Sequence, residues 1–173
     1  MIATNKEGEE GGLKTGQLTV EELKNRWRYN KDGTLTDIIT GEAKERFVDN
    51  RDGTVTDLST NLMWLKSPKR VAEKWENAEE YCRNLEYKGY KGWRLPTIDE
   101  WKTLIDKTQK NPALPLGHPF SDVGTHYGYW SKTRHLIGPL YVFQAILWDG
   151  KTRPHSKKKN AHVWPVRYAK LEQ

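Results

Sequence analysis

"RFVDNRDGTVTDLSTN", Arg46 to Asn61, is the stretch on which the fold turns, because "RYNKDGTLTDIITG", Arg28 to Gly41, spells nearly the same phrase earlier in the chain. Asn30, Asp32, Gly33, Thr34, Thr36 and Asp37 recur as Asn50, Asp52, Gly53, Thr54, Thr56 and Asp57. In each copy a strand-like run meets Asp-Gly and resumes as Thr-Leu-Thr or Thr-Val-Thr, the β-branched alternation of a half-buried pleated surface. Asp-Gly tolerates the positive φ of tight turns, and Asn or Asp caps a turn with its own side chain, so each copy predicts a hairpin. A calcium loop is the competing reading of "DNRDG". With Gly53 as the sixth loop position, Val48 falls at the first and Ser59 at the twelfth, where an EF-hand needs an acidic ligand and a bidentate Glu. Two copies are also fewer than the three units a solenoid needs to bury its faces. A duplicated hairpin remains, the first copy an extension laid beside the second.

Outward from the repeat, residues 1–17 are rich in Gly, Glu and Lys without periodicity and read as a flexible leader. "TVEE", from Thr19, has the capping-box form and predicts a short helix to about Arg26. Residues 18–45 are therefore read as a helix and hairpin extension, and 46–173 as the main domain. Val71, Trp75, Ala78, Cys82 and Leu85 step by four and three, which predicts an amphipathic helix from Lys69 that stops at Gly89. Cys82 lies on its apolar stripe and reads as a buried small hydrophobe. In "GWRLPTIDEW", Trp93 and Leu95 read as a short strand and Pro96 as its stop. Thr97 with Glu100 is a second capping box, opening a helix through Ile98, Trp101, Leu104 and Ile105.

"NPALPLGHPFSDVGTHYG" then predicts a long irregular loop, of the kind that displays binding groups on a rigid scaffold. Three strand candidates close the chain: Tyr129 to Thr133, Leu140 to Trp148, and His162 to Tyr168. Asp149-Gly150 supplies a turn after Trp148, so Lys151 to Asn160 is expected to leave the sheet as a protruding basic finger.

Length and charge narrow the function. A chain of 173 residues and 20.2 kDa supports one core. Eight Trp and eight Tyr fill it despite a hydrophobic fraction of only 35%. A single Cys excludes an internal disulfide and fits a reducing compartment. No window approaches the roughly 18 apolar residues of a membrane span. The start, "MIATNKEGEEGG", lacks the apolar stretch of a secretory signal, so the reading expects a cytoplasmic protein without a membrane partner; an exported mature form with a new Met would read the same way. The net charge is +6, and "KTRPHSKKK", Lys151 to Lys159, carries five formal positive charges and no negative one. That pattern fits a polyanionic partner or a solvated loop.

Catalytic signatures are absent. The sequence holds no GxSxG, no GxxxxGK[ST] and no GxGxxG. His118, His126, His135, His155 and His162 never fall in an HExxH or His-x3-His spacing, so neither metal nor cofactor is expected.

The phrases "RFVDNRDGTVTDLSTNLMWLK", "WENAEEYCRNLEYKGYKGWRLPTIDEW", "YWSKT" and "VWPVRY" occur in the order and approximate spacing of the Lcl C-terminal domain family, named for a bacterial collagen-like adhesin. The resemblance covers about Arg46 to Tyr168, and the phrase ending in "WRLPT" is its most specific part. It implies an α+β domain similar to the C-type lectin-like fold: two helices beside a small, twisted antiparallel sheet, with a long loop region. It also implies a recognition module that binds polyanionic glycans through a basic surface rather than a catalyst. Lectin-like oxidases of the formylglycine-generating type use a pair of cysteines, which a single Cys does not supply. By resemblance Trp64, Trp93, Trp130 and Trp148 are core aromatics, with saccharide stacking the other role open to them. Arg94 and Arg167 are structural, paired to backbone carbonyls or to acids such as Asp57 or Asp99.

The expected ligand-binding groups are Lys151, Arg153, His155, Lys157, Lys158 and Lys159 of the finger, together with His126, Tyr127, Tyr129 and Arg134. The expected partner is a polyanionic glycan or another protein, the latter making the chain an accessory or assembly subunit. Nucleic acid is the rival polyanion, its phosphates met by the finger and its bases by Tyr127, Tyr129 or Trp130, without sequence readout. An added hairpin edge also offers a route to oligomers.

Overall fold

The structure, a computed structural model, describes residues 26–30 and 34–169. The leader and the helix expected from Thr19 lie outside the described residues. The first copy of the repeated phrase forms β1 (Trp27–Tyr29), β2 (Thr34–Asp37) and β3 (Ala43–Glu45), a sheet in that order. The second forms β4 (Phe47–Asp49), β5 (Thr54–Asp57) and β6 (Leu62–Leu65). Each copy is thus a three-stranded meander rather than a hairpin. The extra turn is made by the last Asp of the phrase: the Asp37 carboxylate accepts the Ile39 amide and that of Asp57 the Ser59 amide, both at 3.0 Å. The third strand of the second copy escapes an alternation search because Leu62, Met63, Trp64 and Leu65 are all buried.

The first turn is also wider than Asp-Gly alone. Positive φ falls at Arg51 (59°) and Gly53 (88°), while Asp52 accepts the Thr54 amide at 2.9 Å. Asn50 Nδ2 donates to the hydroxyls of Thr54 at 2.9 Å and Thr56 at 3.0 Å, and Asn30 does the same to Thr34 and Thr36, both at 2.9 Å. Glycine is required at position 53 for a second reason. A Cβ there would stand 2.1 Å from the Tyr87 hydroxyl.

The described residues are mixed α+β, mostly strands in three sheets with two helices. β12 (Val166–Tyr168) pairs with β6 to complete the sheet β12-β6-β5-β4. β7 (Lys69–Lys74) leads into α1 (Trp75–Asn84), so the helix expected from Lys69 begins six residues later. Val71, placed on the helix stripe by its spacing, is in a strand and 61% exposed. The cause is tertiary: β7 pairs with β11 (Asn160–Val163), Lys74 opposite Asn160, and that pairing overrides the local period. The stripe that remains, Trp75, Ala78 and Cys82, is buried. The helix stops at Leu85 rather than Gly89, which lies in the turn between Tyr87 and Tyr90.

α2 (Ile98–Leu104) starts where its capping box requires. Thr97 Oγ1 accepts the Glu100 amide at 3.1 Å and Glu100 Oε2 accepts the Thr97 amide at 2.7 Å. The short strand expected at Trp93 and Leu95 is one bridge, Arg94 to Val166.

A five-stranded sheet, in the order β10-β9-β8-β11-β7, includes β8 (Tyr129–Arg134), β9 (Tyr141–Ile146) and β10 (Lys151–Ser156). It is mixed rather than wholly antiparallel, since β11 runs parallel to β8 at His162 and Tyr129. The expected finger is an edge strand. β10 pairs residue for residue with β9, from Lys151 opposite Ile146 to Ser156 opposite Tyr141, and only Lys157 to Lys159 turn outside it. Charged side chains and Pro154 suit such an edge, where a missing N–H costs nothing and unwanted pairing is discouraged.

Tryptophans join these layers. Trp64, Trp101 and Trp164 pack ring on ring at 5.4–5.8 Å, with Phe120 and Tyr129 against Trp164. Their indole N–H groups reach across the fold: Trp164 to Leu65 O at 2.7 Å, Trp101 to Trp130 O at 3.1 Å, Trp130 to Glu73 O at 2.7 Å, and Trp75 to Ser131 O at 2.9 Å. The long loop contributes too, burying Ala113, Leu114 and Phe120.

Candidate binding surface

Between Val123 and Leu171 the sequence holds one acidic residue, Asp149, so the hairpins of β8, β9 and β10 form a basic surface by composition. The ladder divides the nominated residues between its two ends. Lys151 and Arg153 begin β10 beside the β9–β10 turn, where Lys151 Nζ and Arg153 Nη2 each stand 3.3 Å from Asp149 Oδ2. Both pairs are exposed and contribute little to stability, so either cation is free to exchange Asp149 for another anion. His126 and Tyr127 precede β8 at that end of the sheet, Tyr127 53% exposed and edge-on to His162 at 5.4 Å.

Lys157, Lys158 and Lys159 lie at the other end of β10, about 17 Å along the strand at the usual rise per residue. Lys157 Nζ sits 3.9 Å above the Trp75 ring, whereas Lys158 and Lys159 are exposed. Arg134 ends β8 at this end, exposed and opposite Val142. The nominated residues therefore form two patches joined by an edge strand rather than one cluster.

Two of the nominated groups face inward. Tyr129 is 1% exposed, its ring stacked on Trp164 and Trp101 and its hydroxyl accepting the Gly124 amide at 2.9 Å. Burial pushes that hydroxyl above its ordinary pKa, despite the Gly124 amide. His155 rests on the Trp130 ring at 5.1 Å, and burial lowers its pKa, more than the Asn160 carbonyl restores. It is accordingly neutral near pH 7 and adds no charge to the surface.

Of the four aromatics assigned to the core, Trp64, Trp93 and Trp130 are there. Trp148 is not: it is 56% exposed at the β9–β10 turn, next to Asp149 and two residues before Gly150. The ladder ends at Ile146, and the chain must turn before Lys151, so the indole is carried out of the sheet. Only its place beside Asp-Gly signalled this in the sequence. Arg94 grips Glu100, at 2.8 and 2.6 Å, and donates to Leu95 O at 3.3 Å. Asp57 instead holds Arg46, at 3.0 and 2.7 Å. The Arg167 guanidinium lies over the Tyr90 ring at 5.1 Å and over Trp93 at 6.0 Å.

Three of the histidines are dispersed, His118 against Phe120, His135 against Phe143 and His155 against Trp130, while His126 and His162 are near enough for one to act on the other. Among the described residues no three His, Cys, Asp or Glu side chains come together in a group that could hold a metal ion. Cys82 is fully buried, and burial pushes its thiol up to about 12. A depression of about 470 Å³ is lined by Arg46, Thr60, Thr103, Asp106 and Pro115 among others, and contains none of the nominated groups. Among the described residues no helix is long and apolar enough to cross a membrane.

The family model described as the Lcl C-terminal domain matches residues 53–167, which takes in the second copy of the repeat from Gly53 and leaves the first outside. No curated protein matches the chain.

Proposed function

The chain belongs to the Lcl C-terminal domain family, and from that premise we propose that it is a non-enzymatic binding module of the C-type lectin-like kind, holding a linear polyanionic glycan along edge strand β10. The observation that carries this reading is Trp148. A large apolar side chain 56% exposed, beside Lys151 and Arg153, offers a flat face for a sugar ring next to two cations for its sulfate or carboxylate groups. The acid-poor strand then leads the chain of negative charge toward Lys158 and Lys159.

The test is retention on immobilised heparin across a salt gradient. Trp148→Ala and the pair Lys151→Ala/Arg153→Ala are each expected to weaken affinity about tenfold, equivalent to ~1.4 kcal/mol. Lys158→Ala/Lys159→Ala weakens it with a shallower salt dependence, as fewer counterions are released. Lys157 is left intact because its contact with Trp75 is structural. Retention of the Trp148→Ala protein equal to wild type overturns the stacking role. Competition by a single-stranded oligonucleotide as effective as by heparin reassigns the strand to general polyanion binding.

A further inference from the structure

The tip of the β8–β9 hairpin carries three exposed aliphatic side chains, two of them more exposed than Trp148. Leu136 is 102% exposed, Ile137 62% and Leu140 49%, on a turn closed by His135 N to Tyr141 O at 3.0 Å and Tyr141 N to Gly138 O at 3.0 Å. Isolated exposed aliphatics are ordinary, but three on one turn are not. The turn is also held firmly. The His135 ring packs on Phe143 at 4.5 Å, and its Nδ1 accepts the Ile137 amide at 3.1 Å. Beside it stands the lysine turn, fastened by Lys157 N to Leu140 O at 2.9 Å. Lys158 and Lys159 project there, and the hairpin from Val123 to Trp148 contains no acid.

We propose that this tip docks on an anionic lipid surface, with Leu136 and Ile137 entering the headgroup and acyl boundary while Lys158, Lys159 and Arg134 meet lipid phosphates. Two observations favour a bilayer. Leu136 and Ile137 stand exposed on a hairpin turn, so their apolar atoms enter a soft medium without needing a matching pocket. Its cations lie beside the apolar residues rather than beneath them, as interfacial binding requires. Each lysine near an anionic surface adds to an attraction that apolar insertion then makes specific to lipid. The expectation of no membrane partner came from the lack of a spanning segment, which does not bear on a surface-docking turn. The inference rests on Leu136 and Ile137 of the tip; it shares Lys158 and Lys159 with the glycan reading but not Trp148, which stands at the opposite end of β10.

The experiment is co-sedimentation of the full chain with vesicles of phosphatidylglycerol and phosphatidylcholine, against vesicles of phosphatidylcholine alone. Wild type is expected to partition at least about tenfold better to the anionic vesicles, and Leu136→Ser/Ile137→Ser to lose most of that gain while keeping wild-type retention on heparin. Trp148→Ala is expected to show the converse. Leu136→Cys carrying an environment-sensitive dye reports insertion directly, since the only native thiol, Cys82, is buried and unreactive; its emission should shift to the blue on anionic vesicles only. Equal binding to both vesicle types, an unshifted dye, or serine variants that bind as wild type overturn the proposal. So does a wild-type dimer that the serine pair converts to monomer, because a second copy would then cover the tip.

Discussion

At the scale of single residues, the repeated phrase encodes one device used twice at different depths. Arg26 reaches Asp37 Oδ2 with Nε at 2.8 Å and Nη2 at 2.6 Å, and Arg46 reaches both oxygens of Asp57, adding Thr103 O at 2.7 Å. In both, the arginine precedes the first strand of a meander and the aspartate ends the second, so the fork ties the turn to its base. Arg26 holds Asp37 below the ordinary carboxylate range, against the opposing pull of burial. The Arg46 side chain is 6% exposed and that of Arg26 29%. Arg46→Met strips the buried Asp57 carboxyl of its arginine and is expected to cost about 3–5 kcal/mol. Arg26→Met removes a more exposed partner, whose place water can take beside Asp37, and should cost less. Urea unfolding of the two variants checks the difference, and equal losses would show that burial does not separate the two copies.

Among the elements, those whose signals are local were legible in the sequence. α2 begins at Ile98 as predicted because its cap, Thr97 with Glu100, consists of neighbours. The start of α1 was not legible, because β7 is made a strand by β11, far along the chain, while its apolar spacing happens to continue that of the helix. β10 was misread for the same kind of reason. Its exposed basic face resembles a loop in composition, and only its ladder with β9 makes it a strand. The α2 cap also carries a pH signature. Burial pushes the Glu100 carboxyl up, but the Arg94 pair and the Thr97 amide outweigh it and leave its pKa below the ordinary 4.5. A folded pKa below the unfolded one gives stability that is present above about 4.5 and is lost as the pH falls through the folded value. Glu100→Gln should therefore be less stable than wild type at pH 7. The two stability curves, followed by urea midpoint, should converge as the pH falls below about 4.5; parallel curves would detach the pair from acid unfolding.

For the molecule as a whole, the candidate site was legible in its charge and not in its geometry. Composition marks the basic segment, but only the sheet register divides it between two ends of β10 and carries Trp148 outward. The tryptophans that remain inside tie β6, β7, β8, α1 and α2 together through bonds between residues far apart in sequence, which makes the main body one cooperative unit. Its histidines then act on the stability of all of it. Burial lowers the pKa of His118 and His155, and of His162 with a further push from His126, each from an ordinary 6.5. The sign follows from proton uptake: below about 6.5 the unfolded chain binds protons that the folded chain resists, so the unfolded state gains. The contribution of these three groups is complete above pH 6.5 and declines as the pH falls through their folded values. It is a limb distinct from the carboxylate limb below about 4.5. We expect the urea midpoint to fall measurably between pH 7.5 and 5.5, where no carboxylate with a lowered pKa yet titrates. His162→Gln should flatten that limb, since it removes the ring held between Tyr127 and Tyr129. A midpoint unchanged across this interval in wild type would mean that these imidazoles are hydrated well enough to ionise in place.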